Sequence, residues 1–93
     1  PDRPMGLEWI ERAARAGLVD AQFNAAVIHE RGEGGMPVDN LRAYAWYRVA
    51  ARSGDEPAAD SVGRLGGLLS EAERARAEDM AQQFLPGTLP DAS

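Results

Sequence analysis

The ten residues "EWIERAARAG" at Glu8 to Gly17 return as "AWYRVAARSG" at Ala45 to Gly54. Both read W-x-x-x-A-A-R-x-G. Trp9 and Trp46 stand 37 positions apart (46 − 9), as do Ala13 and Ala50, Ala14 and Ala51, Arg15 and Arg52, Gly17 and Gly54, and Ala21 and Ala58. A period in the 30s implies units too small to bury their own apolar faces, which therefore stack on one another. The residue types suit such a stack. Paired alanines let helix backbones approach closely, glycine turns the chain, and tryptophan supplies most of the apolar area per unit.

Helical periodicity runs through the chain. Leu7, Ile10, Ala13 and Ala14 recur on one face from Met5 to Ala16, and Gly17 ends that helix as a left-handed cap. Asp20 is expected to cap a second helix, from Ala21 to about Arg31, closed by Gly32. The stretch "GEGGMPVD", Gly32 to Asp39, reads as a loop, after which Asp39 caps a third helix that ends at Gly54. Asp55 or Glu56 starts a fourth, with Pro57 in its first turn. Gly63, Gly66 and Gly67 weaken that fourth helix. "SEAE" at Ser70 to Glu73 has the spacing of a capping box and opens a fifth helix ending near Leu85, whose stripe is Ala77, Met80, Ala81, Phe84 and Leu85. Pro86 and Gly87 stop it, and residues 86–93 read as a frayed tail. No stretch alternates strictly for long, so the fold class is all-α.

At 93 residues the chain makes one small domain with little surplus stability. A formal charge of -5 repels phosphate backbones and anionic headgroups, and the arginines alternate with acids instead of clustering, so nucleic acid is not expected as a partner. Cysteine is absent, which excludes disulfides and thiolate metal sites and leaves the compartment open. No apolar run approaches the ~20 residues of a membrane-spanning helix, and direct membrane insertion is not expected. All ten cations are arginine, which is read as codon bias in a GC-rich genome and, with the abundant alanine, favours a bacterial source; the alternative is interface chemistry. The first residue is Pro1, so a processed or excised product is expected.

The segment from Ala21 to Gly54 resembles the Sel-one-like repeat, a relative of the tetratricopeptide repeat. The matching positions are Ala21, Gln22, Phe23, Gly32, Gly34, Asp39, Ala43, Trp46, Ala50, Ala51 and Gly54. The departures are Ala25 and Ala26 where Leu-Gly is usual, His29 in place of Tyr, and one extra loop residue at Gly35. The resemblance implies an α/α solenoid of short antiparallel helix pairs with a C-terminal capping helix. On that reading residues 5–17 are the second half of one repeat, 21–54 a full repeat, 57–69 a degenerate half and 70–85 the cap. The repeat-packing residues would be Trp9, Ala13, Ala14, Gly17, Ala21, Gly32, Trp46, Ala50, Ala51 and Gly54. The resemblance further implies a non-catalytic scaffold for a protein or peptide partner, with an exported location favoured over a cytoplasmic one.

In such solenoids the first helix of each unit lines the concave face. This points to Gln22, Phe23, Val27 and Glu30, with Arg31, Asp60 and Arg64 at the rim, as candidate partner-binding residues. The competing reading of Phe23 and Val27 is stacking against the next unit. Leu7, Trp9 and Ile10 have no preceding helix to cover them, so either the chain is the C-terminal piece of a longer array or two copies form a homodimer through that end. His29 is the sole histidine and lacks a Ser, Cys or second His at catalytic spacing, so it reads as a partner-facing or partly buried side chain. Glu30 and Glu33 show no metal-ligand geometry, and "GEGG" follows a helix instead of the strand a phosphate loop requires. No catalytic residue, metal or cofactor is expected.

Overall fold

The computed structural model describes residues 3–84 and contains no strand among them. The first helix, α1 (Arg3–Arg15), begins before the expected Met5. It is followed by α2 (Val19–Arg31), a single 3-10 turn at Glu33–Gly35, α3 (Asn40–Arg52), α4 (Glu56–Gly66) and α5 (Glu71–Phe84). Leu85 and the tail at 86–93 lie outside the described residues.

Sequence-local chemistry sets most helix boundaries. Asp39 accepts from the Arg42 N–H at 3.1 Å, and Asp55 accepts from the Ala58 N–H at 3.0 Å, each satisfying an orphan donor of its helix. The capping box closes in both directions: the Ser70 N–H donates to Glu73 Oε1 at 2.8 Å, and the Glu73 N–H donates to Ser70 Oγ at 3.1 Å. Gly32 ends α2 at φ 69, where an added Cβ would sit 2.8 Å from the Met36 carbonyl oxygen. Only glycine fits there without moving the loop backbone.

Asp20 does not cap α2. Leu18 holds that position without a side-chain bond, the helix starts at Val19, and Asp20 lies in its first turn. The Gln22 N–H bonds the Leu18 carbonyl at 3.0 Å, which draws the helix start two residues upstream of the expectation. "GEGGMPVD" likewise contains the 3-10 turn, made by a left-handed Gly34.

Successive helices from α1 to α4 run antiparallel. Near the first turn, Gln22 Nε2 donates to the Ala14 carbonyl at 3.1 Å, and farther along His29 Nε2 lies 3.0 Å from Glu11 Oε2. The α3–α4 turn is closed by the Asp55 N–H on the Ala50 carbonyl, while the far end of the pair sets Tyr44 against Gly66. The centre of the molecule is α3, which packs on α2, α4 and α5, whereas α1 packs on α2. Ala25, Ala26, Ala43, Ala45, Ala50 and Ala58 have no exposed surface, as close helix approach requires.

The two copies of the repeated motif have different surroundings. Trp46 is 0% exposed, stacked on Phe84 of α5 with ring centroids 4.1 Å apart. Trp9 is 64% exposed, with the Arg12 guanidinium over its ring at 5.5 Å. Trp9 therefore does not pack as its counterpart does, because no helix stands over it where α5 stands over Trp46. The stripe on α5 buries Ala77, Ala81 and Phe84, with Met80 partly covered. Arg48 and Arg52 meet Glu78 on the same helix.

Trp46→Ala should therefore cost about 3–5 kcal/mol, as for other buried large-to-small changes. Trp9→Ala should stay within about 0.5 kcal/mol. Urea unfolding of the two variants followed by circular dichroism checks the contrast; equal losses would mean the two tryptophans are packed alike.

Candidate functional site

Tyr47 follows Trp46 on α3 and points to a different face, toward the seam between α2 and α4. The Phe23 ring meets it edge-on at a centroid distance of 5.4 Å, and the Tyr47 hydroxyl donates to Glu30 Oε1 at 2.8 Å. Arg64 of α4 closes the arrangement as a fork: Nη1 bonds Glu30 Oε2, while Nη2 reaches Glu30 Oε1 at 3.2 Å and Ser61 Oγ at 3.3 Å. Three helices are thus tied through one carboxylate. Hydrogen bonding from Arg64, assisted by Tyr47 and opposed by burial, holds the Glu30 carboxyl below its ordinary value of 4.5. Burial, reinforced by the hydrogen bond to the Glu30 carboxylate, pushes the Tyr47 phenol up to about 12.

The pairings fix how α2 and α4 lie. Glu30 and Arg64 meet near the C-terminal ends of their helices, while at the opposite ends Asp20, Phe23 and Asn24 of α2 face Asp55 and Pro57 beside the start of α4. The two helices therefore run side by side in the same direction, and a recess of about 240 Å³ opens between their N-terminal ends.

The candidate residues divide accordingly. Phe23, Glu30 and Arg64 come together around Tyr47. Val27 is partly buried against the core, and Asp60 is exposed on α4 outside the lining of the recess. Gln22 is not on the groove: it is 0% exposed, and its side chain turns toward α1 to donate to Ala14. Arg31 pairs with Glu33 at 3.6 Å, on the loop side of α2. Glu30 and Arg64 already bind each other, which leaves fewer free polar groups at the rim than expected. Sequence reasoning missed Tyr47, Asp20, Asn24, Asp55 and Pro57. The available signal for Tyr47 was its position one residue after the repeat tryptophan, where the earlier copy has Ile10.

Of the two readings of His29, the structure agrees with the buried one. His29 is 4% exposed and ties α2 to Glu11 of α1. That hydrogen bond is the main reason the Glu11 carboxyl sits below its ordinary 4.5, with burial opposing and Arg15 and Arg42 assisting. At the α1 end, Leu7 and Ile10 are partly exposed and, with Ile28 and Met36, line a cleft of about 180 Å³. Among the described residues no three His, Cys, Asp or Glu side chains gather as a metal site, and no helix is long and apolar enough to cross a membrane.

A Sel1 repeat model matches residues 1–18 and 19–55. The chain belongs to the Sel1 repeat family. The first match covers α1 and the second covers α2, the 3-10 turn and α3, so this Sel1 chain is an α-helical repeat module of a protein-interaction type. It is similar to the chitin synthase regulator SKT5 of Malassezia restricta, 30% identical over 82 residues, which cover 88% of this chain and 6% of that protein. It is also similar to the chitin synthase regulator SKT5 of Saccharomyces cerevisiae, 39% identical over 72 residues, which cover 74% of this chain and 10% of that protein. The chain thus spans a tenth or less of the length of these relatives. Both are fungal, so the bacterial source expected from the all-arginine composition finds no support in them. No solved structure matches the chain significantly.

A carboxyl whose folded pKa is lowered stabilises the fold above its unfolded pKa and loses that contribution as pH falls through the folded one. Glu11 and Glu30 both act in this sense, so stability should hold down to about pH 4.5 and decline below it. Urea midpoints measured at neutral and acidic pH should converge in a Glu30→Gln, Arg64→Ala double variant relative to the parent. For Tyr47 the direction reverses: its neutral form is favoured in the fold, so its contribution is present below 10 and is lost as pH rises from 10 toward about 12. Absorbance titration should place the Tyr47 phenol near 12, and Glu30→Gln should lower it in part, removing the carboxylate's contribution and leaving that of burial.

Proposed function

We propose that this Sel1 module is a non-catalytic adaptor within a longer regulatory protein, and that a protein partner lies along the α2–α4 seam. The observation that carries the reading is the seam itself: its C-terminal half is sealed by the Glu30–Arg64–Tyr47 network, while its N-terminal half opens into the recess beside Phe23. A rigid wall with one open recess suits capture of a peptide segment, since little ordering is needed on the module's side. The similarity to chitin synthase regulators favours a regulated protein as the partner over a nucleic acid or a small metabolite. The acidic net charge agrees.

A photo-crosslinking amino acid at Asn24, carried in the full-length parent, should trap one defined protein, whereas the same group at Gln82 on α5 should not. Phe23→Ala should reduce trapping at position 24 while leaving helix content intact. Equal trapping at both positions would overturn the reading, and a melted Phe23→Ala domain would mark Phe23 as core.

Self-association is the second reading, favoured by a specific observation: Trp9 stands 64% exposed on the same helix as the Leu7 and Ile10 cleft. On this reading Trp9 of one copy covers the cleft of the other. Light scattering over a concentration series should then report a dimer that Ile10→Glu converts to a folded monomer. A monomeric parent chain at every concentration would remove this reading.

A further inference from the structure

Within the adaptor reading, on which this inference rests, the recess between the N-terminal ends of α2 and α4 has a chemistry of its own. Its walls are two carboxylates, Asp20 and Asp55, an amide, Asn24, and two apolar surfaces, Phe23 and Pro57. Asp55 spends Oδ2 on the cap of α4, and its other oxygen takes no hydrogen bond among the described residues. Asp20 forms no ion pair among them either; the arginines that pair with acids do so elsewhere, Arg31 with Glu33, Arg42 with Asp39, Arg48 and Arg52 with Glu78, and Arg64 with Glu30.

Two helix N-termini face this space, each worth roughly half a positive charge, against two full carboxylate charges. The recess therefore keeps a net charge of about −1, and an anionic or neutral occupant would leave it uncompensated. The Phe23 ring, held edge-on by Tyr47, supplies an aromatic wall of the kind on which a cation settles. Farther along the same seam a guanidinium already meets a carboxylate, where the chain's own Arg64 crosses from α4 to Glu30 of α2.

We propose that this recess is a binding site for an arginine side chain of the partner segment, with its guanidinium between Asp20 and Asp55 and its alkyl stem against Phe23 and Pro57. A planar fork of donors serves two carboxylates and an aromatic face together, which a lysine ammonium does not. The partner is accordingly a basic peptide segment, with arginine flanked by apolar residues.

The test selects peptides from a random dodecapeptide display library on the immobilised chain. The strongest sequence is then resynthesised with citrulline, which has nearly the same shape without the charge, in place of each arginine. The expected result is enrichment of arginine-bearing peptides that shift the amide resonances of Phe23, Asn24 and Asp55. Affinity should fall roughly tenfold or more on citrulline replacement, the effect of about one partly buried ion pair. The same loss should follow in an Asp20→Asn, Asp55→Asn variant, whose fold is retained because asparagine at 55 caps α4 as well as aspartate does and Asp20 caps no helix. Peptides that bind the α2–α4 seam without arginine, or that ignore both changes, would overturn this inference and leave the adaptor reading standing. Failure to enrich any peptide on the seam would overturn both.

Discussion

Burial of the Trp46–Tyr47 pair is the constraint on which the other helices depend. Consecutive residues on an α-helix point about 100° apart, so this dipeptide serves two separate interfaces from one turn of α3. The Trp46 indole is stacked by Phe84 and holds α5, while the Tyr47 ring holds Phe23 and, through its hydroxyl, the Glu30–Arg64 bridge between α2 and α4. Most of the other buried apolar positions are alanine, which permits close approach but contributes little burial per residue, with Tyr44, Val49, Leu65 and Phe84 as the larger exceptions. Trp46 and Tyr47 are the two largest of the fully buried side chains, so a small module with little surplus stability relies heavily on them.

The electrostatics follow from that packing. With Tyr47 fixed between α2 and α4, its hydroxyl and the Arg64 fork satisfy Glu30, and the C-terminal half of the seam becomes neutral and closed. The N-terminal half has no such cation among the described residues: the arginines that pair with acids do so elsewhere, and Arg12 and Arg15 lie on aromatic rings. One seam thus carries a sealed end and an acidic, open end. This polarity belongs to the side-by-side course of α2 and α4, since each helix alone reads as an ordinary mixed-charge face.

The family matches cover residues 1–18 and 19–55. α4 continues the antiparallel course, but α5 lies on α3 and carries its terminal Phe84 to Trp46 and to the Arg15 guanidinium of α1, 5.3 Å from the ring. In this way α5 covers the second copy of the motif and touches the end of the first. The matched stretch makes up a tenth or less of the fungal regulators that resemble this chain.

Much of this was determined by the sequence alone, wherever the deciding interaction is local. The period of 37 gave the repeat, the glycines at 17, 32 and 54 gave the turns, and Asp39, Asp55 and the Ser70–Glu73 box gave three helix starts, because caps and left-handed turns depend only on residues a few positions apart. The site was legible only in part. Phe23, Glu30 and Arg64 lie on the seam, but Gln22 turned inward because a carbonyl of α1 stands behind it, and Asp20 proved to be a recess wall instead of a cap. The contrast between Trp9 and Trp46 is the clearest limit. Two identical motifs have the same local preferences, and only the position of α5 decides which indole is buried. The recess was equally invisible, since it is formed by residues some 35 positions apart that meet only when α2 and α4 are packed against Tyr47. Local propensity determined the helices; which of their faces stay open was decided by long-range packing.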